Sequence, residues 1–169
     1  LNNANIVLAP AATHEVIVSD TATATVTNIA TWTARDQNPG YSGNDTAPFS
    51  FIDISATGTA LNPTDDGEAN VTMPFSFTYF GVTSADLRVG NNGGILFGAT
   101  TGDIFAGNAA IPAATPPLAI LPFWDDIDSD TGNVFWETQG VAPNRQFIVE
   151  WFDRPHYSNI GSVTFEVIL

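Results

Sequence analysis

The sequence predicts an all-β protein: an antiparallel β-sandwich that is incomplete at its C-terminal strand and carries an N-terminal β extension. Three observations lead there. Gly (14) and Pro (11) interrupt the chain too often for three continuous amphipathic helical turns. Phe75, Phe77 and Tyr79 alternate with Ser76 and Thr78, and Val163, Phe165 and Val167 alternate with Thr164 and Glu166, the period of two of a strand with one wet face. Further apolar runs follow, separated by Gly, Asn and Asp, as in a layered antiparallel fold.

Taken in order, residues 1–34 are rich in Ala and Thr and hold one aromatic, Trp32, so they read as a β arm or the tail of a preceding module, with strands at Glu15 to Val18 and Ala22 to Thr27. Residues 35–47 form a turn-rich linker, and residues 48–169, which carry nearly all the aromatics, form the main domain. Its strands are expected at Phe49 to Ile54, Phe75 to Tyr79, Leu87 to Val89, Ile95 to Phe97, Val134 to Glu137, Phe147 to Phe152 and Ser162 to Leu169. Asn91-Asn92-Gly93-Gly94 supplies residues that tolerate positive φ and predicts a hairpin. Pro116-Pro117 stands at a strand entrance, where no ladder hydrogen bond is required, and predicts a buried strand over Leu118 to Trp124. The last strand stops on Val167-Ile168-Leu169 without a turn or polar tail, so the chain is expected to be truncated or to be completed by another polypeptide.

Composition restricts the function classes. A chain of 169 residues buries roughly 70% of its unfolded surface and supports one ordinary core. With 18 acidic and 4 basic residues its formal charge is -14, which sets aside nucleic acid and anionic membranes as partners. Only 13% of residues are charged, against roughly 25% in an average soluble protein. All four basic residues (Arg35, Arg88, Arg145 and Arg154) are arginine, and the Thr- and Asn-rich, lysine-free composition points to an exported protein. Without cysteine there is neither disulfide nor thiolate chemistry. The chain opens on Leu1 with no basic, apolar leader, so any signal peptide is expected to have been removed or to lie outside it. The longest apolar run, Leu118 to Trp124, is far below the ~20 residues that span a bilayer, and no membrane insertion is expected.

Four segments in order, FSFTYFG (75–81), NNGGILFG (91–98), LAILPFWDDID (118–128) and GNVFWETQGVAPNRQFIVEWFDRPHY (132–157), resemble a nidogen-like β-domain over residues 48–169. The resemblance implies a secreted or surface multidomain context, of the kind seen in bacterial exported proteins including subtilisin-like proteases. It also implies an accessory or adhesion-type role, with no catalytic residues to carry over. Members of that family continue past the equivalent of Leu169 with further strands, a departure that bears on independent folding.

The strongest local signal is WDDIDSDTGNVFWE, residues 124–137. Asp125, Asp126, Asp128 and Asp130 repel one another unless a cation or solvent neutralises them, and with Glu137 they form a candidate Ca2+ site of oxygen ligands. Asp126, Asp128, Asp130 and Glu137 match positions 1, 3, 5 and 12 of an EF-hand loop, but Thr131 stands where Gly is required and the flanks are β, so that geometry is rejected. A β-loop calcium site in the ~10⁻⁴–10⁻³ M range of extracellular modules is weighed against a solvated acidic hairpin. Asp65-Asp66-Gly67-Glu68 reads as a turn cap, becoming part of an ion site only if folding brings it beside Asp126. His14 and His156 are the only imidazoles; His156 with Asp153 lacks a G-x-S-x-G serine, and no zinc motif is present. Trp136 and Trp151 read as core, whereas Tyr41 and Tyr157 fall in loops and could offer a sugar platform. Asn44-Asp45-Thr46 and Asn70-Val71-Thr72 match the N-glycan pattern.

The expected function is therefore a non-catalytic extracellular module for adhesion, spacing or protein contact, with partners at exposed strand edges. The alternatives are a subunit that forms a homo-polymer by β-strand addition, with residues 14–27 as donor, and an accessory carbohydrate-binding module. A hydrolase is the weakest reading.

Overall fold

The structure, a computed structural model, describes residues 50–110, 116, 118–159 and 161–169. The strand predictions at 15–18 and 22–27, the linker at 35–47, the boundaries at 34 and 48, and Tyr41, His14 and Asn44 lie outside these residues.

Two four-stranded antiparallel sheets make up the described fold, which is all-β with a single 3-10 turn at Tyr157–Asn159. The strands are β1 Thr59–Ala60, β2 Glu68–Tyr79, β3 Val82–Gly90, β4 Gly94–Phe97, β5 Ala119–Ile120, β6 Asn133–Gln139, β7 Gln146–Pro155 and β8 Ser162–Ile168. The first sheet runs β1-β6-β7-β8 and the second β2-β3-β4-β5. No helix among the described residues is long and apolar enough to cross a membrane.

Alternation assigns the faces. Val134 and Trp136 of β6, Phe147, Val149 and Trp151 of β7, and Phe165 and Val167 of β8 meet Val71 and Met73 of β2, Leu87 and Val89 of β3, and Ile95 and Phe97 of β4. Each fully buried side chain of this kind is worth roughly 1.5–3 kcal/mol of transfer free energy. Trp151 is wholly buried, stacks on Phe165 at 4.8 Å and donates its indole N–H to the Gly90 carbonyl at 2.9 Å, joining the two sheets. The β3–β4 hairpin forms at Asn91–Gly93, with Gly93 at φ +75. A side chain there would collide with the Phe123 carbonyl, 1.7 Å from an added Cβ, so the position requires glycine on two counts.

Two strand predictions are corrected. Leu118 to Trp124 pairs only at Ala119–Ile120, and Leu121 to Trp124 leaves the ladder half-buried or exposed, because Pro122 has no N–H to give and the chain turns towards the end of the sandwich. Residues 50–54 of the predicted Phe49 to Ile54 strand do not join a sheet. Their amides bond side chains instead: Ile52 N–H reaches both carboxylate oxygens of Glu166 at 3.2 Å, and Ile54 N–H reaches Glu150 at 2.8 Å. Thr57 follows, its hydroxyl donating to Glu137 at 2.5 Å. Residues 50–58 thus cross the outer face of the first sheet over β8, β7 and β6, before β1 pairs with β6.

Candidate functional site

The loops at one end of the sandwich converge on Arg154, a residue near the end of β7 with only 2% of its surface exposed. Its guanidinium donates to the side-chain oxygen of Asn91, and to the carbonyls of Thr131 (3.3 Å), Gly132 (3.4 Å) and Pro63 (3.4 Å). These are neutral oxygens, so the buried cation is satisfied by dipoles rather than by a direct ion pair. Burial lowers its proton affinity, and the charge of Asp65 acts in the opposite direction. Asn91 and Asn92, buried to 0% and 1% exposure, extend the network. Asn91 donates to the Ile127 carbonyl; Asn92 accepts the Ile127 N–H at 3.0 Å and donates to Asp66 at 2.8 Å and the Ile104 carbonyl at 3.2 Å.

This network brings the two acidic segments together. Asp65 and Asp66 sit in the turn closed by Gly67 N–H to the Thr64 carbonyl at 2.9 Å, with Asp66 at φ +53. Loss of solvent, then the charges of Asp66, Asp128 and Asp126, raises Asp65 above its ordinary value. Loss of solvent, then Asp66, Asp128 and Asp125, raises Asp126. Asp125 is held differently. Its carboxylate accepts the Asp126 N–H at 2.9 Å and lies 3.2 Å from His156 Nε2, and these contacts lower it. The other ring nitrogen of His156, Nδ1, lies 3.1 Å from the Tyr157 carbonyl. Both partners only accept hydrogen bonds, so the doubly protonated ring satisfies both, and the contact with Asp125 followed by that with Tyr157 raises the imidazole above its ordinary value.

Of the residues predicted as metal ligands, Asp125, Asp126 and Asp128 therefore lie on one loop, beside Asp65 and Asp66, while Asp130 is exposed further along it. Glu137 stands apart. It is four residues beyond Asn133 on β6, roughly 13 Å of strand, where it accepts from Thr57 and Gln139. Among the described residues no group of three or more His, Asp or Glu side chains is closed up into ligand geometry.

Next to the acidic loops lies a cleft of about 400 Å³ lined by Asp66, Asp103, Ile104, Phe105, Ala106 and Gly107. Phe105 is 51% exposed here, and Trp124 donates its indole N–H to the Phe105 carbonyl at 2.6 Å. Asn108 ties the cleft to the loop through the Trp124 carbonyl at 3.0 Å. The Asn70 sequon lies on β2, its amide bonded to the Thr100 carbonyl and its oxygen to Arg88. His156 has no hydroxyl nucleophile among its hydrogen-bond partners.

The organising residues were the ones missed by reading the sequence. Asn91 and Asn92 read as turn formers, and burial is invisible in a turn motif. Arg154 was legible as one of four cations in a chain of charge -14, followed at once by Pro155-His156.

Fold and site together define a two-sheet antiparallel β module with an acidic loop cluster at one end, organised by the buried Arg154, Asn91 and Asn92. A family model described as NIDO related matches residues 40–169, and the chain belongs to this nidogen-related family. The family is of a non-enzymatic, protein-interaction type, and its members are typically extracellular. No curated protein and no solved structure gives a match.

Proposed function

We propose that this domain is an extracellular contact module that engages a protein partner along the outer edge of β8. The observation that carries this reading is the state of that edge. Phe147 and Leu169 exchange both backbone hydrogen bonds at 2.9 Å, and β7 and β8 pair Val149 with Val167 and Trp151 with Phe165. Residues 165, 167 and 169 therefore point their amides and carbonyls at β7, and the intervening residues Thr164, Glu166 and Ile168 point theirs outward. Among the described residues no strand pairs with that side.

The other edges are blunted. β1 and β5 have two residues each, and β2 carries Pro74 and a register break between Thr72 and Phe77. β8 has seven residues, no proline and no lysine. A partner strand laid against it would gain ladder hydrogen bonds and cover the half-buried Phe165. The same edge supports the second reading, in which residues 14–27 of another copy supply the strand and the chain polymerises.

Ile168→Pro tests both. Its N–H faces outward, so proline removes a donor from the edge without taking a bond from the β7 ladder. In the full chain, light scattering should show concentration-dependent self-association that the variant loses while keeping its unfolding midpoint. A synthetic peptide of residues 14–27 should perturb the NMR signals of β8 in the wild type only. Self-association and peptide binding equal in both proteins would remove the β8 edge as the contact surface.

The acidic loops favour an added feature, a bound divalent cation. Asp65 and Asp66 lie close enough to Asp126 and Asp128 to feel their charges, and a calcium ion there would offset the repulsion that, after loss of solvent, raises Asp126.

A further inference from the structure

Residues 50–58 are fastened to the first sheet by one carboxylate from each strand they cross. Glu166 of β8 takes the Ile52 N–H, Glu150 of β7 takes the Ile54 N–H, and Glu137 of β6 takes the Thr57 hydroxyl. The central member is unusual. Glu150 is fully buried on the outer face, beneath the fully buried Ile54, and its Oε1 has no hydrogen-bond partner. Its cross-strand neighbours are Glu166 on one side and Phe135 on the other, with Glu137 on the same face of β6 and Asp53 on the segment above. Every charged group around it is acidic. Like charges opposed across a ladder are destabilising, and an ionised oxygen buried without a partner is worse placed than a neutral one.

We propose that residues 50–58 form a proton-operated strap, closed over the outer face when Glu150 carries a proton and loosened when Glu150 is ionised. In the neutral acid one oxygen accepts the Ile54 N–H and the other no longer carries charge into the buried face. On ionisation the carboxylate faces Glu166, Glu137 and Asp53 with an oxygen lacking a donor, and water reaches it only if Ile54 lifts. The strap is where the chain enters β1, so acid tightens and alkali frees the segment leading into the sandwich. Desolvation, and to a smaller extent the charges of Asp53 and Glu166, raise Glu150 against the opposing effect of the Ile54 hydrogen bond. Desolvation raises Glu166 as well.

The test is residue-resolved amide exchange on the full chain, expressed as protection factors, alongside a carbon-detected titration of the Glu150 carboxyl. Protection of Ile52 and Ile54 should fall about tenfold or more as pH rises through the Glu150 midpoint, while Val149 in the core ladder holds steady. Glu150→Gln, which is neutral at every pH, should leave the protection of Ile54 flat, any remaining change at Ile52 following Glu166, which accepts its N–H. A flat wild-type profile, a midpoint that differs from that of the Glu150 carboxyl, or an unchanged fall at Ile54 in the variant would overturn the strap. Should the glutamine variant not fold, coincidence of the two wild-type midpoints still decides the matter.

Discussion

Arg154 shows how much of this architecture depends on one side chain. Removing it would strand the Asn91 oxygen and the Pro63 carbonyl in a buried setting, and would take a donor from the Thr131 and Gly132 carbonyls at the surface. Each unsatisfied group costs roughly 1–3 kcal/mol. Arg154→Met is therefore expected to lower stability in urea by about 3 kcal/mol or more, and a loss under 1 kcal/mol would mean the network is dispensable. His156 offers a residue-level check on the acidic loop. Its titration by NMR should lie above the ordinary imidazole value of 6.5 and drop in Asp125→Asn, since the Asp125 contact is the largest cause of the shift. A raised histidine stabilises the fold below its unfolded value and loses that contribution as pH rises through the folded one. An Asp125→Asn chain whose His156 titrates unchanged would break the assigned pairing.

At the level of elements, the sequence was most legible where a strand buries one face. The period of two identifies β8 and the second half of β2, because Phe165 and Val167, and Phe75, Phe77 and Tyr79, pack against the core while their alternate neighbours cannot. It misleads at residues 50–54, where a similar apolar run serves as a strap. Its amides are satisfied by glutamates 96 and 114 residues away, and no local pattern reports such partners. The run 118–124 misleads for the opposite reason: apolar composition continues after Pro122 has ended the pairing. The candidate site was half legible. The acidic residues of 125–130 stand out in sequence, but their approach to Asp65 and Asp66 depends on Asn91, Asn92 and Arg154 meeting in three dimensions. Glu137 fits an ion-ligand spacing in sequence yet belongs to the strap side of the first sheet.

The whole molecule carries a charge of -14, and its titration should follow from the signs of the individual shifts. Asp65, Asp126, Glu150 and Glu166 are all raised, so their contributions are complete below ordinary values of 3.8 to 4.5 and decline as pH rises through the folded values. His156 adds a decline through its own raised value. Asp53 and Asp125 are lowered, so their contributions hold above 3.8 and vanish as pH falls through the folded values. Thermal unfolding should therefore occur at a higher temperature near pH 5 than at pH 8, where the His156 contribution has been lost. A midpoint highest at pH 8 would show that these groups do not govern the balance. Calcium at millimolar concentration should raise the midpoint at pH 8, an increase lost in Asp126→Asn; no shift in the wild type would remove the proposed ion.

What joins these scales is a sandwich whose first sheet presents an unpaired edge for contact. Amide exchange along β8 in the dilute 169-residue chain tests this most directly, because an open edge leaves a signature of alternation. Phe165, Val167 and Leu169, bonded to β7, should exchange slowly, and Thr164, Glu166 and Ile168 should exchange fast. Slow exchange at all six positions would mean that the edge is already occupied, and would contradict the account.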